Sequence, residues 1–407
     1  MRKLLVSYAL DPQTLIPVGH LAESEGRVFF EYDPSFIERG VELSPFFLPL
    51  KPGLVEHTDR GFGPLWGVFD DSLPDGWGLL LMDRYFRKRG LSLRTISPLD
   101  RLAFLGMRTM GALTYHPPAE RDEETHRTLD LQELAEQSLK ILNGEESVVL
   151  SQLLAAGGSP GGARPKVLVG YDPRKKALLS GEALLPEGYE HWLVKFGAKE
   201  DPADSAAIEF AYALMARTAG IALPETRLLS GGRTERYFGS KRFDRDARNR
   251  RYHIHTFGNL VHADFRIPSV DYTELLRVTA LMTRDQSAVR EMFRRMVFNV
   301  LAHNRDDHVK NFSFMLDLDQ PGWRVSPAYD LTFAEGPGGE HSMSVDGNGK
   351  APGVPDIFRV AEKSGIGKAV ARRIVDEVAA AVGQWARFAD EAGVSKGSMK
   401  NIAKYLQ

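Results

Sequence analysis

Short apolar runs recur through the first fifty residues, in LLVSYAL, VGHLAE and RVFFEYD. Turn residues separate these runs, a spacing that is typical of short β-strands. Residues 1–118 are therefore predicted to form a β-rich N-terminal subdomain. Within it, SLPDGWG predicts a turn that opens a helix, with Pro74 and Asp75 near the helix start. Trp77 is interpreted as a core anchor, which favours a packed structural corner over a catalytic role.

A polar segment, PPAERDEETHRTLD at residues 117–130, follows this subdomain. Its charges and prolines indicate a linker or an exposed connection. The next segment, LDLQELAEQSLKILNG, has the apolar period of a helix, and Gly144 is predicted to end it.

Three strand-like runs, KVLVG, HWLVKFGAK and ERYFGSKRFDRD, flank an amphipathic helix at residues 204–219. Asp204 or Ser205 is predicted to be the N-cap of this helix, and Gly220 the C-cap. These elements predict a mixed region at residues 130–245, whose last strand would connect two lobes.

The rest of the chain has mainly the period of helices, most clearly at residues 271–300 and 355–390. Residues 246–407 are therefore predicted to form a helical C-terminal lobe. The whole pattern predicts an α+β fold with two lobes and a β-rich N-terminal subdomain.

Inside that lobe, residues 293–314 place a polar cluster between two apolar elements. Met296, Val297 and Leu301 have the period of a buried helix, and FSFML predicts a strand. The residues between them, HNRDDHVKN at 303–311, are here called the polar loop. Charge is costly to bury unless it is paired or bound to a metal, and loops held by rigid neighbours often carry function.

Asp306 and Asn311 in the polar loop have the spacing D-x-x-x-x-N. Protein kinases use that spacing for a carboxylate that accepts the substrate hydroxyl proton and an amide that holds a metal ion. Downstream, the strand-like run RVSPAYDLTF contains Asp330, whose carboxylate could hold Mg2+. The HRD and DFG strings of ordinary protein kinases are absent. The alternative is a solvated loop in which an Asp caps a following helix.

A glycine-rich segment, AAGGSPGGARPK at residues 155–166, precedes the strand KVLVG and is here called the Gly-rich loop. Glycine allows backbone N–H groups to approach phosphates closely, so Gly161 and Gly162 are candidate nucleotide-binding residues. The loop lacks the G-K-[ST] ending of a Walker A motif. The alternative is a flexible hairpin tip or a linker.

Lys195 lies among apolar residues in the run HWLVKFGAK. A strand lysine pairs with ATP phosphates in kinases, and Glu209 on the next helix could pair with Lys195 as a kinase helix Glu does. The alternatives are a solvent-facing lysine on an edge strand and an ordinary surface glutamate. In the connecting strand, Lys241, Arg242 and Phe243 are candidates for contacts with adenine.

Composition adds few constraints to this picture. The 407 residues carry a formal net charge of −2, which argues for neither nucleic-acid nor membrane binding by the whole chain. There are no cysteines, so disulfides and thiolate chemistry are excluded. The apolar run at the N-terminus is too short for a signal peptide, and no run is long enough for a membrane span. The expected location is the cytoplasm.

Taken together, these motifs resemble the HipA family of serine/threonine kinases, the toxins of type II toxin–antitoxin modules. The resemblance rests on GHLAESEGRVFFEYD, LSPFFLPL, SLPDGWG, GGSPGGARPK, HWLVKF, SKRFDR, HNRDDHVKNFSF and SPAYDL, which together cover nearly the whole chain. It implies a fold similar to phosphoinositide kinases and the use of ATP and Mg2+. It also implies a HipB-like DNA-binding antitoxin as partner, so that contact with DNA is only indirect. In the best-known members the protein substrate is glutamyl-tRNA synthetase, and its phosphorylation arrests growth.

The resemblance assigns roles to individual residues. It makes Asp306 the catalytic base, and Asn311 and Asp330 the metal ligands. Ser159 falls where family members carry an autophosphorylated serine that silences the enzyme, although Pro160 departs from the best-known loop. The residues implied in cofactor binding are Lys195, Lys241, Phe243, Gly161, Gly162 and His308, and for His308 one option is that it orients the base.

Three functions are compatible with these residues: an active protein kinase toxin, a catalytically silent partner that binds an antitoxin and DNA as a repressor, and a small-molecule kinase. The presence of Asp306, Asn311 and Asp330 favours an active enzyme over a silent one.

Overall fold

The structure, a computed structural model, describes residues 2–119, 128–145, 153, 161–180, 184–232 and 235–406. In this part of the chain the strands form three sheets, with helices between and after them. The first sheet lies within the predicted N-terminal subdomain and the second within the predicted mixed region. The third sheet and most helices lie in the C-terminal lobe. This arrangement confirms the predicted α+β class.

The N-terminal sheet has the order β4-β3-β2-β1-β5, and all its neighbouring strands are antiparallel. The three strands predicted from the short apolar runs are β1, β2 and β3, and their apolar positions Val6, Leu21 and Phe30 are buried in one core. The strands are β1 (Arg2–Ala9), β2 (Leu15–Ser24), β3 (Arg27–Tyr32), β4 (Val55–Glu56) and β5 (Leu113–His116). The helices of this region are α1 (Pro34–Ile37), α2 (Gly67–Asp70), α3 (Gly76–Lys88) and α4 (Pro98–Leu105).

The segment SLPDGWG forms the predicted turn and helix start. Asp75 occupies the N-cap position of α3, and Trp77 is buried, as predicted. Trp77 packs in a core that also contains Val167 and Trp192 of the second sheet. The N-terminal subdomain therefore shares a core with the mixed region.

The second sheet has the order β7-β6-β8-β10-β9 and is antiparallel throughout. Its strands are β6 (Lys166–Asp172), β7 (Ala177–Leu179), β8 (Glu190–Lys195), β9 (Thr226–Ser230) and β10 (Arg236–Lys241). Of the predicted linker, residues 120–127 lie outside the described residues. The helices bounded within the described residues of this region are α5 (Leu131–Leu142) and α6 (Ser205–Thr218).

Gly144 and Asp204 lie at the helix ends predicted for them, whereas the C-cap of α6 is Ala219 and not the predicted Gly220. The carboxylate of Asp130 caps α5 by accepting the N–H groups of residues 132 and 133, and Gly144 follows the helix with a φ of +86°. Asp204 is at the N-cap position of α6, and Gly220, with a φ of +80°, follows Ala219 at its end. Glycine adopts these positive φ values at low cost, which explains its place at both helix ends.

The C-terminal lobe contains a three-stranded sheet, ordered β11-β12-β13, and a group of helices. The strands are β11 (His253–Thr256), β12 (Ser313–Asp317) and β13 (Gln320–Val325). The helices are α7 (Phe257–Leu260), α8 (Tyr272–Thr283), α9 (Gln286–Leu301), α10 (Val354–Lys363), α11 (Lys368–Val382), α12 (Trp385–Ala392) and α13 (Lys396–Ala403). None of the helices in the described residues is long and apolar enough to cross a membrane.

Helix α9 lies at the centre of this lobe. Its residues Phe293, Met296 and Val297 are fully buried in the largest core, as the apolar period predicted. FSFML is confirmed as strand β12, but the strand predicted through RVSPAYDLTF ends at Val325. Pro327 has no N–H for a sheet, so the chain leaves β13 there and carries Asp330 into a loop.

Candidate active site

A deep cleft lies between the second sheet and the C-terminal lobe, with about 1350 Å³ of space that is partly open to solvent. It brings together residues that are far apart in the sequence. The predicted site residues that line it are Lys195, Lys241, Phe243, Gly161, Gly162, His308, Asn311 and Asp330. Asp306 lies beside this lining and is exposed. Ser159 and Pro160 lie outside the described residues.

Lys195 forms the electrostatic centre of the cleft. Its ammonium group lies 2.5 Å from Glu209 Oε1 and also contacts the carboxylate of Asp330. Only 13% of the Lys195 side chain and 6% of the Glu209 side chain are exposed. Strand β8 lies inside the sheet, so the alternative of a solvent-facing edge lysine is wrong, as is that of a surface glutamate.

The charges of this triad depend on one another. Burial alone would lower the pKa of Lys195, but the carboxylates of Asp330 and Glu209 outweigh burial and raise it. Burial would raise the pKa of Asp330, but the ammonium groups of Lys195 and Lys166 lower it well below its ordinary range. Lys195 is therefore cationic and Asp330 anionic at neutral pH.

The polar loop folds back on itself around the D-x-x-x-x-N spacing. Asn311 Nδ2 donates to the backbone oxygen of Asp306 at 2.6 Å, and Asn311 N donates to the backbone oxygen of His308 at 2.9 Å. Loss of solvation against the cleft wall and the nearby Asp330 carboxylate raise the pKa of Asp306, while His308 opposes that rise. A carboxylate with a raised pKa is a stronger proton acceptor.

Asn311 and Asp330 fit a magnesium ion by the chemistry of their donor atoms. Asn311 uses its Nδ2 within the loop, so its Oδ1 is the atom that remains for a metal. Asp330 supplies an anionic carboxylate in the same cleft. Mg2+ prefers such oxygen ligands and usually shares its coordination sphere with substrate phosphates.

The connecting strand forms another wall of the cleft. Lys241 Nζ lies 2.6 Å from Glu190 Oε1, so its side chain is held by the neighbouring strand β8. The Phe243 ring stacks on the Tyr329 ring, with 5.7 Å between the ring centroids. A flat apolar wall of this kind suits a purine base. Contacts of Lys241 and Phe243 with adenine stay a prediction.

Comparisons with known proteins identify the chain's relatives. The family model for the HipA-like C-terminal domain matches residues 158–386, and the model for the HipA N-terminal domain matches residues 14–116. The chain belongs to the HipA family. The first match covers more than half of the chain, and the two together include every predicted site residue.

Individual relatives agree with this family assignment. The Sinorhizobium fredii protein named "Putative kinase Y4dM" is 31% identical over 153 residues, which are 34% of this chain and 36% of that protein. The match thus spans about a third of that relative. HipA of Shewanella oneidensis MR-1, solved in a complex of the toxin–antitoxin system HipA, HipB and operator DNA, has a TM-score of 0.72. It is 18% identical, and the alignment covers 99% of this chain and 94% of that chain, so it establishes a HipA fold.

A second solved structure is much less similar. The proinflammatory kinase CtkA of Helicobacter pylori is 11% identical, with a TM-score of 0.35 over 53% of this chain and 92% of that one.

The structure of this HipA-family protein also contains a residue that sequence reasoning did not single out. Asp307, next to the predicted base, is fully buried and accepts hydrogen bonds from Tyr272 Oη at 2.7 Å, His341 Nδ1 at 2.8 Å and Ser342 N at 2.8 Å. Three donors satisfy a buried carboxylate and fix its position. Asp307 therefore anchors the polar loop on its buried side, while Asp306 is exposed beside the cleft.

Lys310, Lys166 and Asp75 also line the cleft, and none of them was predicted. Lys310 Nζ lies 3.3 Å from Asp70 Oδ2 of the N-terminal subdomain. Lys166 donates to the backbone oxygen of Gly161, and burial lowers its pKa. The sequence pattern placed Asp75 in a structural corner. The one indication of a further role was that its carboxylate lies at the N-cap position of a helix.

His308 lines the cleft but makes few contacts that define its role. Its ring lies 5.4 Å from the ring of Phe265, and its Nδ1 has no hydrogen-bond partner among the described residues. The suggestion that His308 orients Asp306 stays a prediction.

Proposed function

We propose that this HipA-family protein is an ATP- and Mg2+-dependent serine/threonine protein kinase and the toxin of a type II toxin–antitoxin module. The observation that carries the proposal is the ion-paired triad of Lys195, Glu209 and Asp330 in the same cleft as Asn311, with Asp306 beside it. Phosphoryl transfer is catalysed mainly by positioning and by neutralising charge, and this cleft supplies both.

Each residue has a distinct task in the proposed reaction. The cationic Lys195 binds ATP phosphates, and Asn311 Oδ1 and the Asp330 carboxylate hold Mg2+. When bound, Mg2+ neutralises negative charge on the transferred phosphoryl group. Glu209 holds Lys195 in place, because the buried ammonium group needs a fixed counter-charge.

Asp306 acts on the substrate hydroxyl. As the hydroxyl oxygen bonds to the γ-phosphorus of ATP, the bond from that phosphorus to the leaving oxygen of ADP breaks, and Asp306 accepts the hydroxyl proton. The exposed position of Asp306 leaves room for a serine on the surface of another protein. Its raised pKa makes the Asp306 carboxylate a stronger acceptor for the hydroxyl proton.

The biological setting follows from family membership. The Shewanella relative was solved with HipB and operator DNA, which supports a HipB-like antitoxin as partner and indirect contact with DNA. We further propose a cytoplasmic location and a translation-related protein substrate such as an aminoacyl-tRNA synthetase. Copurification with the protein encoded next to it tests the partnership.

Transfer of radiolabelled phosphate from ATP in a cell lysate tests the activity. A labelled protein band that depends on added wild-type protein and on Mg2+ is expected, and Asp306→Asn is the matched control that should give no band. Label in small molecules alone would indicate a small-molecule kinase. No label at all would refute the enzymatic proposal and leave a silent repressor partner.

A further inference from the structure

The start of helix α3 contacts the Gly-rich loop directly. Asp75 occupies the N-cap position of α3, but its carboxylate makes no capping hydrogen bond to that helix. Instead, Asp75 Oδ1 accepts the backbone N–H of Gly162. An Asp at an N-cap usually binds the free N–H groups of its own helix. Here the carboxylate is directed away from the helix, towards the loop proposed to hold ATP phosphates.

Further hydrogen bonds surround this contact. Trp77 N donates to the backbone oxygen of Gly162 at 3.1 Å, and Trp77 Nε1 donates to the backbone oxygen of Lys166 at 3.0 Å. Trp77 therefore contacts the Gly-rich loop at two places. One is Gly162, and the other is Lys166, where strand β6 begins. Trp77 is itself buried in the core that it shares with the second sheet.

Glycines on both sides allow the two backbones to approach. Gly76 has a φ of +43°, and a Cβ atom there would lie 2.6 Å from the backbone oxygen of Gly162. A Cβ atom at Gly161 would lie 3.1 Å from Asp75 Oδ2. A side chain at position 76 would therefore collide with the loop, and one at position 161 would crowd the carboxylate.

The other carboxylate oxygen of Asp75 faces the polar loop. Asp75 Oδ2 lies 3.9 Å from Lys310 Nζ, and Lys310 also lies 3.3 Å from Asp70 Oδ2. Lys310 immediately precedes Asn311, the proposed metal ligand. The two oxygens of Asp75 thus face the two loops that would enclose the ATP phosphates, and its side chain is only 15% exposed.

We infer that Asp75 is a positioning residue for phosphoryl transfer, which holds Gly161 and Gly162, the described end of the Gly-rich loop, at the nucleotide site and aligns them with the polar loop through Lys310. This inference rests on the proposed kinase function. It makes the N-terminal subdomain part of the nucleotide site, because the residue that fixes the loop belongs to that subdomain.

Hydrogen exchange of the nucleotide-free protein tests the loop contact without reference to activity. Asp75→Ala should speed amide exchange at Gly162 by about tenfold, the effect of losing one charge-assisted hydrogen bond. Asp75→Asn keeps an oxygen that can accept the same N–H, so its exchange should stay near the wild-type rate. The matched control is Asp33→Ala, which removes the N-cap of α1 in the same subdomain. Wild-type exchange at Gly162 in Asp75→Ala would overturn the inference.

Kinetics with Mg-ATP test the functional consequence. Asp75→Ala should raise the KM for ATP about tenfold and lower kcat, whereas Asp75→Asn should restore the KM but not the full kcat, because it lacks the charge beside Lys310. Asp33→Ala should behave as wild type. An unchanged KM and kcat in Asp75→Ala would reject the positioning role. If the wild-type protein transfers no phosphate, the proposed function fails, and the exchange experiment still decides whether Asp75 holds the loop.

Discussion

Replacing Lys195 with Met removes the charge at the centre of the cleft while keeping most of the side-chain volume. Glu209 would then be buried without its cation, in the field of the Asp330 carboxylate. Removing one partner of a buried ion pair typically costs about 3–5 kcal/mol. Asp330 is 37% exposed and can be solvated in the variant. We therefore expect Lys195→Met to lower the free energy of unfolding by about 3 kcal/mol at neutral pH, near the lower limit of that range.

The pH dependence of this loss follows from Glu209. Burial raises the pKa of Glu209 in the wild-type protein, and Lys195 partly offsets that rise. Without Lys195 the folded-state pKa rises further, so ionised Glu209 destabilises the variant at neutral pH. As the pH falls through the folded-state pKa, Glu209 takes up a proton and this penalty decreases. The stability difference between wild type and variant should therefore be smaller at pH 5 than at pH 7.5.

Urea unfolding followed by tryptophan fluorescence measures this difference at both pH values. Lys241→Met is a matched control, because Lys241 pairs with Glu190 at 2.6 Å in the same sheet but its side chain is 30% exposed. Lys241→Met should lower the free energy of unfolding by no more than about 1 kcal/mol. Adding Glu209→Gln to Lys195→Met should recover stability. Equal losses for the two lysine variants, or a difference that grows at pH 5, would refute this account of the triad.

Three other predictions concern the proposed reaction. Asp306→Asn should fold and bind ATP but lose about 10²–10⁴-fold in transfer rate, and full activity in the purified variant would reject Asp306 as the base. Asp330→Ala should weaken Mg2+-dependent nucleotide binding by more than about tenfold in calorimetry, since even partners outside the first coordination sphere contribute that much. Ser159, which lies outside the described residues, should gain a phosphate when wild-type protein, but not Asp306→Asn, is incubated with Mg-ATP; unmodified Ser159 in active protein by mass spectrometry would contradict this.

Sequence periodicity was sufficient for the elements with one consistently buried face. Helix α9 and strand β12 lie where the apolar period placed them, because each is buried in the core regardless of its detailed neighbours. The course of the chain before Asp330 was not predictable in the same way. RVSPAYDLTF has strand-forming residues, but Pro327 interrupts the sheet, and Asp330 takes a φ of +54° that the fold imposes.

The pairing of Lys195 with Glu209 could be proposed from the sequence only through the order of kinase elements. The role of Asp75 could not be proposed, because a carboxylate before a helix is already explained as an N-cap. Only the approach of Gly162, from a segment far along the chain, shows that Asp75 is directed elsewhere. Local patterns predict which residues are buried, and they do not predict which distant groups meet.

The adjacent residues Asp306 and Asp307 show this limit most clearly. Their side chains are chemically identical, yet Asp307 is fully buried with donors from Tyr272, His341 and Ser342, while Asp306 is exposed. Loss of solvation against the cleft wall and the nearby Asp330 carboxylate raise the pKa of Asp306. Because Asp307 fixes the backbone beside it, Asp306 can be accessible and still held in place, and the proposed role as base needs both properties for contact with a substrate hydroxyl.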